Sequence, residues 1–134
     1  MSKSFEQCIH IIMENIEQRK AVDYGDKKSV HRYNASMNAI IHNLEYIDIH
    51  FPEQFSKVIM LLEHPDQNVV RHCVPTIFRL KHTSIEQKQR IIDISKAWLA
   101  DPQIDQVSKL YIADNVARWE SVLTNISQSC TDSL

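Results

Sequence analysis

Only one glycine, Gly25, occurs in this chain of 134 residues, together with four prolines. Tight β-hairpins depend on glycine, and the hairpin dipeptides Asn-Gly and Asp-Gly do not occur in the sequence. Apolar residues instead recur every three or four positions, which is the spacing of one face of a helix. The sequence therefore predicts an all-α protein.

Residues that cap helices mark where the predicted helices begin. A serine three positions before a glutamine forms a capping box, and an aspartate can accept hydrogen bonds from the first free backbone N–H groups of a helix. The capping residues are Ser4 with Gln7, Asp26, Asp66, and Ser84 with Gln87. Pro52 suits the first turn of helix three, and Asp101-Pro102 stops helix five before helix six. Six helices follow from these signals.

The run from His64 to Leu80 contains the clearest helix junction. Pro65 cannot continue helix three, and Asp66 is placed to cap helix four. Pro75 lies inside helix four, where a missing N–H and a ring clash cost roughly 3 kcal/mol. Because the apolar pattern continues in phase to Leu80, we expect a bend in this helix and no break.

The apolar pattern weakens or ends at two places in the chain, and these places are predicted not to be helical. The pattern weakens after Tyr46, so residues 48–50 are predicted as a loop, and it ends at Ile126, so residues 127–134 are predicted as a flexible tail. The buried stripe of helix six is predicted to contain Val107, Leu110, Ala113, Val116, Ala117 and Leu123. Residues 1–126 then form a single domain.

Short connections make three antiparallel helix pairs: one and two, three and four, five and six. Stacked pairs bury a continuous core, which is the arrangement of an α-solenoid with about three units. We predict a right-handed α-solenoid, and an irregular helical bundle is the alternative that the same patterns permit.

Two runs resemble HEAT-like repeats. His64–Arg71 looks like the turn of that family, in which an aspartate leads into a Val-Arg pair, and Ala21–Lys28 is similar to the N-terminal part of small bacterial HEAT-like proteins. The chain departs from the family at residues 72–75, where His-Cys-Val-Pro replaces the usual small residues. The resemblance implies a HEAT-like solenoid and an immunity protein, which binds and neutralises a toxin.

The titratable residues do not form a recognised catalytic or metal motif. The seven histidines include no His-Glu-x-x-His pair, and Cys-x-x-Cys, Gly-x-Ser-x-Gly and a glycine-rich phosphate loop are all absent from the sequence. The formal net charge of −2 does not favour a nucleic-acid binder. We therefore expect no enzyme activity, no catalytic residue, no metal, no cofactor and no nucleic-acid partner.

The cellular location is predicted from cysteines and hydropathy. Three cysteines are an odd number, and Cys8 and Cys73 fall on apolar helix faces, as reduced buried thiols do. No run approaches the roughly 20 apolar residues of a membrane span, and the first residues lack a signal-peptide core. We expect a cytoplasmic protein that is not membrane-bound.

The inner helices of a solenoid, here two, four and six, present the surface that usually binds partners. At about 100° per residue, one polar row on each helix faces away from its apolar stripe. The predicted partner-binding residues are His31, Asn38 and His42 on helix two, Asn68, Arg71, His72 and Arg79 on helix four, and Tyr111, Asn115 and Arg118 on helix six. Two interpretations stay open, because Arg71 can instead brace two helices and Trp119 can pack against helix five.

The functional hypothesis is an immunity protein that forms a 1:1 complex, as a monomer, with a cognate toxin domain. It would act by occluding the active site or the substrate route of the toxin. A non-enzymatic adaptor or assembly scaffold is the first alternative. A HEAT-like DNA-repair glycosylase is the second.

Overall fold

The computed structural model describes residues 3–20 and 25–132, with side chains as far as Ile126. Over these residues it contains helices and no strand, which confirms the all-α prediction. The α-helices are α1 Phe5–Lys20, α2 Lys27–His50, α3 Phe55–Ile59, α4 Gln67–Arg79, α5 Ile85–Leu99 and α6 Gln106–Asp132. Residues 21–24, which belong to the run Ala21–Lys28, and residues 133–134 of the predicted tail lie outside the described residues.

The predicted caps are present at four helix starts. Ser4 and Gln7 exchange both hydrogen bonds of a capping box, as do Ser84 and Gln87. A carboxylate oxygen of Asp26 accepts from the Lys28 backbone N–H at 3.0 Å, and the equivalent distance from Asp66 to Asn68 is 2.9 Å. At α6 the capping residue is Asp105, whose carboxylate accepts from the Ser108 backbone N–H at 2.9 Å.

The predicted loop at residues 48–50 is wrong, because α2 continues to His50. Asp48 interrupts the apolar pattern there but is buried, with 7% of its surface exposed. Its carboxylate accepts hydrogen bonds from the backbone N–H groups of Lys81 and His82, at 2.8 and 3.1 Å, and from His82 Nδ1 at 2.8 Å. A polar residue that looked like a helix end is therefore held inside the fold by partners distant in sequence.

Helix three and helix six also differ from their predicted extents. The α-helical part of helix three is only Phe55–Ile59, with 3-10 helix on both sides at Pro52–Gln54 and Met60–Glu63. Helix α6 continues to Asp132, beyond the predicted end at Ile126.

The contacts divide the chain into two compact units, residues 1–83 and 84–134. In the first unit, α1 and α2 are antiparallel, since Lys3 at the start of α1 donates to Asn43 late in α2 and Arg19 near the end of α1 donates to the Tyr33 carbonyl early in α2. In the second unit, α5 packs on α6, and Lys96 Nζ lies 3.1 Å from a Glu120 carboxylate oxygen.

Helices α2 and α4 of the first unit run in the same direction. At their starts, consecutive residues of α1 reach both helices, because Arg19 contacts Tyr33 and Lys20 forms a 2.7 Å ion pair with Asp66. At their ends, Glu45 of α2 meets Arg79 of α4 at 3.5 Å. The second helices of stacked antiparallel pairs run parallel in this way. The stacking of three pairs and the single domain over residues 1–126 stay predictions.

Helix α4 is continuous through Pro75, which confirms that the proline does not break it, and the bend stays a prediction. Apolar side chains before and after the proline are fully or almost fully buried: Val69, Val70, Cys73, Val74, Ile77 and Phe78. Burial raises the pKa of the Cys73 thiol to about 12, and burial also raises the pKa of Cys8, so both are kept as thiols in the core.

The predicted buried stripe of α6 is largely wrong. Val107 and Leu110 are 78% and 73% exposed, and Ala113 and Ala117 are exposed as well. As far as Ile126, the buried residues of α6 are Ile112, Asn115, Val116, Trp119 and Leu123. Trp119 carries the largest apolar surface of this helix, and the face that buries it also buries the residues three, four and seven positions before it. The interpretation of Trp119 as a packed residue is therefore the correct one.

Candidate functional site

The predicted partner-binding residues of α2 and α4 lie in the first unit, and we call the surface formed by the two rows the α2–α4 face. It consists of His31, Asn38, His42 and Glu45 on α2, and of Asn68, Arg71, His72 and Arg79 on α4. Arg71, His72 and Glu45 are half-buried, and the others are exposed. The structure thus leaves every residue predicted on these two helices at least partly open to solvent.

The two rows of the α2–α4 face meet at Glu45 and Arg79, where the guanidinium and the carboxylate are 3.5 Å apart. This contact brings the ends of the two rows together, whereas near the start of α4 the charges that act on His72 include Arg19 and Lys20 of α1. Ile49 lies seven positions after His42, on the same row of α2, and is 71% exposed. The face therefore combines polar, cationic and apolar groups.

His72 lies in a cationic part of the face. Its Nδ1 donates to the Asn68 carbonyl oxygen at 2.6 Å, which leaves the Nε2 of the neutral ring as an acceptor. Burial of the ring is the main reason that the pKa of His72 is lowered, and the positive charges of Arg19, Arg71 and Lys20 lower it further. The neutral imidazole is the form that the folded protein favours at neutral pH.

Acid is expected to destabilise the protein through His72. The unfolded chain takes up a proton near the ordinary histidine pKa of 6.5, whereas the folded His72 takes it up only at lower pH. The contribution of His72 to stability is therefore fully present above the ordinary pKa of 6.5 and is lost as the pH falls through the lower pKa of the folded histidine. Urea unfolding across this range should show a shallower pH dependence for His72→Gln than for the unaltered protein. The exposed-residue variant His10→Gln is the control, and an equal slope in His72→Gln and His10→Gln would contradict this assignment.

The three predicted residues of α6 lie in the second unit and have different environments. Tyr111 is 61% exposed and Arg118 is exposed. Asn115 was predicted as a contact residue and is instead buried, at 4% exposure, because it lies on the same face of α6 as Trp119. Its Oδ1 accepts a hydrogen bond from Arg118, whose Nε also lies 3.3 Å from an Asp114 carboxylate oxygen. Asn115 thus positions Arg118 and is not itself available to a partner.

Sequence reasoning missed an open cleft between the start of α1 and the end of α2. Its volume is about 530 Å³, and it is lined by Lys3, Ser4, Gln7, Tyr46, His50 and Phe51. The sequence feature that could have predicted it is the spacing of Tyr46 and His50. Residues four positions apart lie next to each other on a helix, so their rings stack if α2 continues to residue 50. Because residues 48–50 were predicted as a loop, this helical pairing of Tyr46 and His50 was not expected.

The titratable groups of the described residues offer few chemical functions. Over residues 3–20 and 25–126, no three histidine, cysteine, aspartate or glutamate side chains are grouped so that they could hold a metal ion. The Asp48–His82 pair has the geometry of an acid–base dyad, but Asp48 accepts two backbone hydrogen bonds in addition to that of His82. The carboxylate therefore joins the end of α2 to the segment that follows α4.

The chain matches no protein-family model, no curated protein and no solved structure. The similarity to HEAT-like repeats therefore rests on the two short runs alone. None of the helices in the described part of the chain is both long enough and apolar enough to span a bilayer.

Proposed function

We propose that this protein acts by binding another protein through the α2–α4 face. The observation that carries the proposal is the Glu45–Arg79 contact between two parallel helices, each of which has a row of solvent-accessible polar and cationic side chains. Arginine is enriched among residues that dominate binding energy in protein interfaces, and the face offers Arg71 and Arg79.

We further propose that the partner is a toxin and that this chain is its immunity protein. This step rests on the resemblance of His64–Arg71 to the turn of HEAT-like repeats. The three helix pairs would stack as a right-handed solenoid, and the antiparallel α1–α2 pair and the parallel α2 and α4 are compatible with two adjoining repeats. The chain would bind as a cytoplasmic monomer in a 1:1 complex and block the toxin by occlusion, without metal, cofactor or chemistry of its own.

Acidic residues of the chain give little support to a basic toxin. Glu45 faces Arg79, Asp114 faces Arg118, and Asp105 caps α6. Each of these carboxylates already has a partner within the chain. They therefore do not argue for a toxin of positive charge.

Co-expression with the product of the adjacent gene tests the proposal. If that product is a toxin, the chain should restore growth and co-purify with it as a 1:1 complex measured by light scattering. A toxic neighbour that the chain neither neutralises nor binds would overturn the immunity proposal. A neighbour that is a pathway enzyme and binds the chain would favour the adaptor alternative.

A further inference from the structure

We propose that two copies of this chain associate through an antiparallel pairing of their α6 helices. This inference goes beyond the proposed function, since it concerns the second unit and does not require the α2–α4 face. Three large apolar side chains of α6 are open to water, because Val107, Leu110 and Tyr111 are 78%, 73% and 61% exposed. Exposed apolar residues that cluster on one helix are typical of surfaces that bind another protein.

The exposed side of α6 has the spacing of a coiled-coil seam. Its residues follow one another in alternating steps of four and three positions, and each of them is exposed: Val107, Tyr111, Asp114, Arg118, Ser121 and Asn125. We call these six residues the α6 row. A seven-residue repeat stays on one side of a helix and can meet a second helix along its whole length. At 1.5 Å per residue the α6 row is about 27 Å long.

The charges of the α6 row select an antiparallel second copy as its partner. Asp114 lies two positions before residue 116, the midpoint of the row, and Arg118 lies two positions after it. When two α6 helices pair in opposite directions about this midpoint, Asp114 of each copy meets Arg118 of the other. Parallel pairing instead brings the two aspartates together and the two arginines together, which is unfavourable. The α6 row is therefore complementary to itself, as a two-fold symmetric interface requires.

The contact between Asp114 and Arg118 within one helix leaves both groups open to a second copy. Arg118 Nε lies 3.3 Å from an Asp114 carboxylate oxygen, and the side chains of Arg118 and Asp114 are 63% and 69% exposed. Such an exposed pair contributes only about 0.3–0.5 kcal/mol. A carboxylate accepts several hydrogen bonds and a guanidinium donates five, so each group can keep this contact and add one across the dimer.

The other charged residues between positions 107 and 125 lie outside the α6 row. Glu120 faces α5, where Lys96 Nζ is 3.1 Å from its carboxylate. Lys109 follows Val107 by two positions and is therefore about 200° around the helix from it. Neither residue places a like charge against Asp114 or Arg118 in the antiparallel pair.

The remaining positions of the α6 row pair an apolar side chain with a short polar one. In the same arrangement Val107 meets Asn125 of the other copy, and Tyr111 meets Ser121. Two helices that touch over about 27 Å bury less than the roughly 1,200 Å² at which stable complexes begin, so we expect a weak dimer with a Kd of about 100 µM. At lower concentrations the chain remains the monomer of the proposed function.

Sedimentation velocity of the whole chain between about 10 µM and 1 mM tests the pairing. The average mass of the unaltered chain should rise from that of one chain toward that of two as the concentration increases. Asp114→Arg and Arg118→Asp each set like charges against one another in the antiparallel pair, so each variant alone should associate at least about tenfold more weakly. An equimolar mixture of the two variants restores the opposite charges and should associate like the unaltered chain.

The matched control is Asp93→Arg, which makes the same charge change as Asp114→Arg on an exposed residue of α5 and should associate like the unaltered chain. All three variants change exposed side chains, so circular dichroism should show the same helix content. A mass that stays at one chain, equal association of Asp114→Arg and Asp93→Arg, or a mixture that stays monomeric would overturn the inference. No toxin is used, so failure of the pairing and failure of the immunity proposal can be told apart.

Discussion

Replacing Asp48 with alanine is expected to lower the free energy of unfolding by about 3 kcal/mol. The carboxylate is buried and accepts three hydrogen bonds, two from the backbone N–H groups of Lys81 and His82 and one from the His82 ring. Its removal leaves both backbone donors without their acceptor at the junction of α2 and the segment after α4, and a hydrogen bond to a charged group contributes about 1.5–3 kcal/mol.

Urea unfolding followed by far-UV circular dichroism measures the effect of Asp48→Ala. Glu53→Ala is the control, because Glu53 is an exposed acid in the first 3-10 segment and should change stability by no more than about 0.5 kcal/mol. Asp48→Asn keeps the shape and one acceptor oxygen for the two donors of His82 but turns its amide N–H groups toward the Lys81 N–H, so it should recover only part of the loss. If Asp48→Ala matched the Glu53→Ala control, the buried carboxylate would not hold this junction.

Replacing Trp119 with alanine should have the largest effect in the second unit, a loss of about 3–5 kcal/mol. Trp119 is buried, at 9% exposure, on the face of α6 that also buries Ile112, Val116 and Leu123. Truncation removes apolar contact area and leaves a cavity that the neighbouring side chains fill only in part.

Tryptophan fluorescence gives a local measurement of the Trp119→Ala effect. Both tryptophans of the chain, Trp98 and Trp119, lie in the second unit, so the remaining Trp98 signal reports the unfolding of that unit. Tyr111→Ala is the matched control, because it removes an exposed aromatic ring from the same helix and should cost less than about 1 kcal/mol. A stable Trp119→Ala variant would show that the ring belongs to an interface and not to the core.

Helix starts were predictable because capping depends on residues that are close in sequence. The side chains of Ser4, Asp26, Asp66 and Ser84 each reach backbone N–H groups two or three positions ahead, whatever the rest of the fold does. The end of α2 was not predictable in this way. The helix continues through Asp48 because residues more than thirty positions away satisfy its carboxylate, and local pattern carries no trace of them.

The exposure of the candidate residues was predictable where a row of polar residues faces solvent. It was not predictable where tertiary packing decides which face of a helix is buried. His31, Asn38, His42 and Arg79 are exposed as the helical periodicity indicated. On α6, Trp119 lies on a different face from Val107 and Leu110, and only the face with Trp119 is buried. Asn115 lies on that face and is therefore buried as well. The meeting of Glu45 and Arg79 depends on how α2 packs on α4, which neither helix encodes alone.

Titration calorimetry of the chain with its purified partner tests the central claim, that the α2–α4 face binds a protein. Arg79→Glu should weaken the complex at least about tenfold, which is about 1.4 kcal/mol. Arg32→Glu is the matched control, because it makes the same charge change on an exposed residue of α2 outside the predicted row, and it should leave the affinity unchanged. Equal affinities of the two variants, with both folded by circular dichroism, would contradict the claim.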